Sequence, residues 1–304
     1  MSREDSRSRS KLAAQANAQS ESLAPQTASA TDRRVSHSGA GGKIGRYAHF
    51  IWSYTKANLA MEMEYRTSFI GRVFGMILND LMWMAFWVLY FERFPVVQGW
   101  QKADVLTLWC LCELGFGLAH TIFGNALRLS GLVVRGDLDF YLVYPKDPLF
   151  HLLVSRSNAT ALGDLLLGPI AFVALVRPAF WQFAVFMVAG LLVAGIFLGF
   201  TVLSHSLAFF IGNSEALSDQ VTNSLIHFAT YPAAIFSGGV KAVLFTLIPA
   251  GFINTVPVRV VREFDPVFFG LTALAATVFV VGGWLAFRAG LRRYESGNLM
   301  QVRM

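Results

Sequence analysis

The stretch FAVFMVAGLLVAGIFLGFTVLSHSLAFFI, residues 183–211, contains no Asp, Glu, Lys or Arg. A helix needs about 20 apolar residues to cross about 30 Å of hydrocarbon, so this stretch is long enough to span a bilayer. The whole chain agrees, since only 14% of its 304 residues are charged and its mean hydropathy is +0.50; soluble domains carry about 25% charged residues. Too little polar surface remains to cover a soluble globule, and the sequence predicts an integral membrane protein.

Further apolar runs on both sides of this stretch are candidate spans. They are residues 69–91, 105–127, 159–176, 217–237 and 266–287. The run 217–237 is the weakest because it carries Asp219, Asn223 and His227. The sequence therefore predicts an all-α membrane protein with six transmembrane helices.

Residues 240–257 are also apolar, but they are short for a crossing and are interrupted by Pro249 and Gly251. With six spans and an inner N-terminus, eleven Lys or Arg residues flank the spans on the inner side and six on the outer side. A seventh crossing changes the count to nine against eight and removes the positive-inside bias. We therefore expect both termini in the cytoplasm and a re-entrant or outer-face hairpin at 240–257, before the last span.

The N-terminal residues 1–44 differ from the rest because they are rich in Ser, Ala, Gln and Arg and hold no apolar run. Such a segment cannot bury enough surface to fold, so it is predicted to be a disordered cytoplasmic tail, followed by a transmembrane domain at residues 45–304. Aromatic residues at helical spacing in 46–68 predict an interfacial helix before the first span. A cytosolic stem without lipid contact is the alternative.

Several chemistries find no support in the sequence. The stretch GAGGKIG, residues 39–45, is not a phosphate-binding loop, because His37 and Ile44 occupy positions that require Gly and Ser or Thr. The net charge of +6 is spread along loops and predicts no nucleic-acid partner. Cys110 and Cys112 lie on opposite faces of a helix, which favours core packing over a metal site or a disulfide. The sequence predicts no catalytic residue, no metal site and no cofactor in this chain.

A small set of ionisable residues lies inside the apolar runs, where a charge is costly and usually faces the bundle interior or a wet cavity. These translocation-path candidates are Asp80, Glu113, His120, Asp164 and His205. Glu113 and His120 are seven residues apart and share a helix face, so they are the best candidates for one polar site. The alternative is that these groups pair with Asn79, His120 or serines across helices, or that Asp80 and Asp164 lie near an interface, without a role in transport.

Between the second and third spans lies a polar insert, RGDLDFYLVYPKDPLF, residues 135–150. Its two prolines, Pro145 and Pro148, prevent one continuous helix. In the six-span topology this insert is the longest cytoplasmic connection, and it is placed to contact a cytosolic partner. The alternative interpretation is a solvated loop whose acidic residues balance Arg135 and Lys146.

The insert, with YPAAIF at residues 231–236, FINTVP at 252–257 and LRRY at 291–294, resembles the permease subunits of ABC-2 type ABC transporters, in a poorly characterised branch of about 260 residues. The resemblance runs from about Arg46 to Gly297. Its most specific part is the insert, with Gly136, Asp137, Leu138, Asp139 and Pro145 in order.

The resemblance implies a six-helix subunit with an interfacial helix, paired with a second permease that is identical or paralogous. It implies two separate copies of an ABC ATP-binding subunit, which hold ATP and Mg. The loop 128–155 would couple the permease to that subunit through Arg135, Gly136, Asp137, Leu138, Asp139, Phe140 and Pro145. We expect Leu138 and Phe140 to supply apolar contacts there, and Asp137 and Asp139 to set the register by charge.

The function implied is transport, most simply export, across the inner or plasma membrane. A secondary transporter that uses the intramembrane carboxylates is one alternative, although no inverted pair of broken half-sequences is visible. A membrane assembly protein without transport is another. Co-purification of an ATPase subunit would distinguish them.

Overall fold

The computed structural model describes residues 40–294, with side chains from Gly45 onward. The described residues from Ala48 onward belong to one compact unit. The tail predicted for residues 1–44 lies outside the described residues up to position 39. Residues 40–44 already belong to the first helix.

The described chain begins with two consecutive helices, α1 (Ala40–Glu64) and α2 (Arg66–Arg93). Tyr65 separates them because its φ of −104° and ψ of 51° lie outside the helical region. Large apolar side chains of α1 are exposed, including Trp52 at 67% and Met61 at 61%. This exposed apolar surface is compatible with an interfacial helix, and the interfacial position stays a prediction.

A tight hairpin joins α2 to the next helix. Its strands are β1 (Val96–Val97) and β2 (Trp100–Gln101), and they pair antiparallel. Gln98 and Gly99 form the turn with φ of 49° and 82°. Positive φ at both central residues matches the twist of a two-residue hairpin, and Gly99 adopts it without steric cost.

Helix α3 (Lys102–Phe123) continues through a 3₁₀ turn (Gly124–Arg128) into α4 (Leu129–Val134). Two short helices follow in the polar insert, α5 (Asp139–Leu142) and α6 (Pro148–Val154). Pro148 is the first residue of α6, where its missing N–H costs nothing. The prediction that the prolines divide this insert is confirmed.

The third predicted span is shorter than a full crossing. Helix α7 (Ala161–Ala171) contains Pro169 and passes into a π-helical stretch, Phe172–Val176. The long apolar run at residues 183–211 forms most of α8 (Phe180–His205) together with α9 (Ala208–Ile211).

The region after α9 is broken into short helices. The run predicted as the fifth span holds α10 (Glu215–Ala229), of 15 residues, and a 3₁₀ turn, Ala233–Ile235. The predicted hairpin holds α11 (Gly238–Thr246), α12 (Ala250–Ile253) and α13 (Thr255–Glu263), with a bend of 66° between α11 and the following pair. The break near Pro249 is as expected. The segment does not end at Pro257, because this residue lies in the first turn of α13, which a proline tolerates.

The last helix is α14 (Pro266–Leu291). Among the described residues, four helical stretches are long and apolar enough to cross a membrane: Arg66–Arg93, Lys102–Val134, Phe180–Ile211 and Pro266–Leu291. The number rises to five if the bent pair at residues 238–263 is counted as one span. The chain is thus an all-α multi-pass membrane protein with a single small hairpin in its described part. The six spans predicted from sequence are not confirmed.

Helix α3 is the centre of the bundle. In the most apolar 18 residues of the stretch Lys102–Val134, which includes α3, 78% of the residues are buried, against 17% in the corresponding part of α2. Gly117 lets the backbone of α7 approach, since a Cβ there would lie 2.4 Å from the nitrogen of Leu165. Gly168 of α7 does the same towards α3, 2.9 Å from the carbonyl oxygen of Cys110. In lipid, helices associate closely where small residues such as glycine allow their backbones to approach each other.

The two cysteines take part in this packing. Cys110 and Cys112 are buried and free, and the Cys112 thiol donates to the carbonyl oxygen of Ala229 at 3.2 Å. The core-packing interpretation of the cysteines is confirmed.

A second close crossing joins α8 to α14. A Cβ on Gly199 would lie 2.3 Å from the carbonyl carbon of Phe279, and one on Gly283 would lie 2.6 Å from the carbonyl oxygen of Gly199. Gly282, the neighbour of Gly283, has no atom within 4 Å of such a Cβ. Adjacent glycines of one helix therefore differ in whether they touch a partner.

We predict that Gly283→Ala destabilises the protein and that Gly282→Ala does not. The new methyl group of Gly283→Ala meets a backbone carbonyl that cannot move away cheaply, and overpacking of this kind costs about 1–3 kcal/mol. Gly282→Ala gains helix propensity without a clash. Thermal unfolding of both variants in one mild detergent measures the difference, and equal midpoints would contradict the crossing.

Candidate functional site

The polar insert and residues 151–155, which complete α6, form one small folded unit at the end of the bundle where α2 begins and α3 ends, and we call residues 135–155 the insert from here on. Gly136 adopts a φ of 78°, which reverses the chain after α4. Arg135 then turns its Nε towards Oδ2 of Asp137, at 3.1 Å. Both side chains are about half exposed, so the pair orders the turn more than it stabilises the fold.

Leu138 does not provide the exposed contact that the sequence suggested. Its exposed fraction is 0%, and it belongs to a second apolar core together with Tyr141, Leu152 and Phe287. The expectation that Leu138 faces a partner is wrong. It holds the insert together, because the turn at Gly136 points it inward.

The exposed apolar residues of the insert lie just after Leu138. Phe140 is 58% exposed, Tyr144 45% and Val143 85%. We call Phe140, Val143 and Tyr144 the apolar tip. Sequence reasoning found Phe140 but missed the other two, although two apolar residues directly before Pro145 in a polar loop could have signalled them.

Asn125 anchors the insert to α3. Its Nδ2 donates to the carbonyl oxygen of Leu152 at 3.0 Å, to Ser155 Oγ at 2.8 Å and to the Tyr141 hydroxyl at 3.3 Å. Its backbone N–H donates to the carbonyl oxygen of Arg156 at 3.0 Å. One buried side chain thus ties Tyr141 and the end of α6 to the second span.

Helix α1 is attached to the insert through His151. The Tyr54 hydroxyl lies 2.8 Å from His151 Nε2, and the Phe50 ring packs edge-on against the imidazole. Burial, and then Lys146, lower the pKa of His151, so the imidazole is neutral at pH 7. Burial likewise raises the pKa of Tyr54. A neutral hydrogen bond therefore joins α1 to the insert.

The last span and the segment after it hold the other side of the insert. Asp147 accepts from the backbone N–H of Phe150 at 3.0 Å and lies 3.6 Å from Arg288 of α14. Burial, followed by the nearby Asp139 carboxylate, raises the pKa of Tyr294. The insert is therefore fixed to three parts of the chain.

The intramembrane acids come together between α2, α3 and α7. Asp80, Glu113 and Asp164 are 3%, 5% and 2% exposed. Asp80 and Asp164 interact electrostatically with each other, and Glu113 interacts electrostatically with both. Asn79 donates to Oδ1 of Asp80 at 3.2 Å. The other five carboxyl oxygens of the three acids receive no hydrogen bond from any described residue.

The two histidines have other neighbours than these acids. Glu113 and His120, which were expected to form one polar site, therefore belong to two different sites. His120 Nε2 lies 3.4 Å from Thr201 Oγ1, and its Nδ1 lies 3.1 Å from the carbonyl oxygen of Phe116. His205 Nδ1 lies 2.9 Å from Ser130 Oγ. Both histidines are fully buried. Within residues 40–294, no three His, Cys, Asp or Glu side chains are arranged to hold a metal ion.

At the end of the bundle away from the insert, an aromatic pocket of about 270 Å³ lies between α2, the β-hairpin and the residues that follow α10. Trp87 of α2 meets Tyr231 there at a ring distance of 6.1 Å. The pocket is lined by side chains of two regions that the sequence keeps far apart.

The family model of the ABC-2 family transporter proteins matches residues 76–297 of the chain. The chain belongs to the ABC-2 transporter family. It is therefore a membrane permease subunit of an ABC transporter. No curated protein and no solved structure matches the chain.

The ABC-2 match covers the insert and all the motifs that carried the resemblance, but not residues 46–75 at its start. These motifs contact one another in the fold. Asn254 of FINTVP donates to the carbonyl oxygens of Phe228 and Tyr231, at 3.2 and 2.8 Å, where YPAAIF begins. Tyr294 of LRRY contacts Asp139 of the insert. The motifs of this ABC-2 chain thus mark joints between helices.

We predict that Asn125→Leu loosens the insert. The change removes the Asn125 side-chain donor from the carbonyl oxygen of Leu152, from Ser155 Oγ and from the Tyr141 hydroxyl, which keep only the hydrogen bonds that involve Ser155. Each net hydrogen bond lost costs about 0.5–1.5 kcal/mol. Trypsin should then cut faster at Arg135 and Lys146 than in the wild-type protein. Asn223→Leu, on an exposed part of α10, is the control and should leave the cleavage rate unchanged. Equal rates for both variants would remove the anchoring role of Asn125.

Proposed function

We propose that this ABC-2 permease subunit works as an exporter and couples to a separate ATP-binding subunit through the loop 128–155. The observation that carries the proposal is the apolar tip, which is exposed on an insert that is fixed from three sides. A segment that transmits force between subunits has to combine these properties, because a loose loop would absorb the movement of its partner.

The chemistry of the tip fits a docking role. Phe140 and Tyr144 are aromatic, and buried aromatic anchors carry much of the binding energy at protein interfaces. Asp137 lies beside them on the surface, 54% exposed in its side chain. A rim charge of this kind guides association and register more than it adds affinity. Residues Arg135, Gly136 and Pro145 shape the turn, and Asp139 contacts Tyr294.

The complete transporter in this proposal contains two permease subunits, identical or paralogous, and two ATP-binding subunits that hold ATP and Mg. The permease lies in the inner or plasma membrane with both termini in the cytoplasm. The proposed topology has six spans, in which α7 and α10 are the short ones, and residues 240–257 face the outside. The Lys and Arg bias of the loops supports this arrangement.

A specific observation supports a second candidate function. Three acids, Asp80, Glu113 and Asp164, share one buried place in the bundle. Ionised carboxylates there would repel one another, so protons or a cation must compensate them. A secondary transporter would use such a group to bind its coupling ion. In an ABC exporter the same group would contact the substrate. A membrane assembly protein without transport has no comparable observation in its favour.

We predict that Phe140→Ala weakens co-purification of the ATP-binding subunit in mild detergent by about tenfold, because an interface aromatic is truncated. Asp137→Lys should weaken it in a salt-dependent manner. Phe94→Ala removes an equally exposed ring, 51% exposed, next to the β-hairpin and serves as the control.

The wild-type chain decides between the functions. If no ATP-binding subunit accompanies it, the secondary-transporter alternative is favoured. If the subunit binds Phe140→Ala and Asp137→Lys as tightly as wild type, the insert is not the coupling element.

We predict for the topology that a cysteine at Lys241 reacts with a membrane-impermeant thiol reagent added from outside to whole cells. Cysteine at Val143, in the apolar tip, should react only after the cells are opened. The two native cysteines are buried and give a low background. Labelling of position 241 only from the inside would contradict the proposed hairpin.

A further inference from the structure

A cleft of about 890 Å³ lies beside the insert. One wall comes from α1, through Tyr54 and Asn58, and another from α2, through Arg72. The remaining walls include the insert itself and the residues on either side of it, Arg128 and Arg156. The cleft thus lies at the end of the bundle where the first span begins and the second ends.

Arginines dominate the charge of this cleft. Arg72, Arg128, Arg135 and Arg156 line it, together with two carboxylates, Glu62 and Asp137. Each carboxylate is already paired with an arginine, Glu62 with Arg72 and Asp137 with Arg135.

No described carboxylate lies in ion-pair distance of Arg128 or Arg156, so the cleft keeps an excess of two positive charges. An arginine guanidinium presents a planar set of donors that matches a phosphate.

The rest of the lining is mixed. Asn58 and Asn125 are buried at its floor, with 3% and 4% exposure. Met61 and Phe140, both more than half exposed, line its sides. A free inorganic anion needs only the charges, whereas the head of an amphiphile would use the apolar sides as well.

We propose that this cleft binds the phosphate headgroup of an anionic phospholipid from the membrane leaflet on the side of the insert. Basic pockets between membrane helices at the cytoplasmic surface have the charge and the depth that such headgroups require. Bidentate contacts from Arg128 and Arg156 would hold the phosphate, and Met61 would contact the first part of the acyl region. A lipid so placed connects α1, α2 and the insert. The inference goes beyond the proposed function and does not depend on an ATP-binding partner.

The test uses the full chain, purified in a neutral detergent, stripped of lipid, and titrated with phosphatidylglycerol or phosphatidylcholine under native mass spectrometry. We expect the wild-type protein to retain phosphatidylglycerol and not phosphatidylcholine. The double variant Arg128→Gln with Arg156→Gln should bind phosphatidylglycerol roughly thirtyfold more weakly, since each basic residue near an anionic lipid surface contributes about fivefold in affinity.

Arg66→Gln with Arg292→Gln is the matched control. It removes two exposed arginines at the same end of the bundle that do not line the cleft. This variant should bind phosphatidylglycerol as the wild-type protein does. Equal losses in both double variants, or no loss in either, would overturn the proposal.

Measurements on the wild-type protein alone test the site even if the Arg128 and Arg156 variant does not fold. Raising the salt from about 0.1 M to about 0.5 M should weaken phosphatidylglycerol binding, because the contact is electrostatic. Inorganic phosphate at the same concentration as the lipid should not displace it. Displacement by phosphate, or equal retention of phosphatidylcholine, would show that the cleft is not a lipid headgroup site.

The ATP-binding subunit provides the last distinction. Arg156 lies outside the proposed coupling loop 128–155, so Arg156→Gln alone should bind phosphatidylglycerol more weakly and still co-purify with that subunit. Loss of the subunit together with unchanged phosphatidylglycerol binding would assign Arg156 to protein docking and overturn the lipid proposal. Failure of the coupling prediction at Phe140 would leave the lipid measurements unaffected.

Discussion

Close approach of helix backbones is the constraint on which the rest of this structure depends. In lipid, apolar side chains gain little by leaving the hydrocarbon for one another, so helices associate where small residues let their backbones meet. Gly117 and Gly168 bring α7 onto α3, and Gly199 and Gly283 bring α8 onto α14. The bundle is built around α3 because it makes such contacts on several faces.

This packing decides where the polar groups lie. Gly168 would place a Cβ 3.3 Å from the Cβ of Glu113, so the same contact that joins α7 to α3 brings their acids near each other. Gly163 is similarly close to α2, where its Cβ would lie 3.1 Å from the carbonyl oxygen of Val73. Three helices that meet through glycines therefore bury three carboxyl groups in one place, and their charge has to be compensated there.

The sequence predicted the helical class, the four longest spans and the division of the insert by prolines, since these depend on apolar length and on the backbone of proline. It also identified the acids of the bundle. It did not predict that Leu138 is buried, because Gly136 reverses the chain at positive φ and no periodicity shows the direction of the next side chain. Nor did it separate Glu113 from His120. A shared helix face means only that the two side chains point in the same direction from α3. Glu113 and His120 lie two turns apart along that helix, so different residues of the other helices surround each of them.

The role of Asn125 shows why the insert cannot be understood apart from the bundle. The second apolar core folds the insert, and the hydrogen bonds of Asn125 to Leu152 and Ser155 attach it to the second span. With them, and with α1 and α14 attached at His151 and Asp147, the insert moves only if the ends of three helices move. The apolar tip is exposed on this fixed support. In the proposed coupling, a force applied at Phe140 would reach the helices that enclose the buried acids, because the second span carries both Asn125 at its end and Glu113 at its centre.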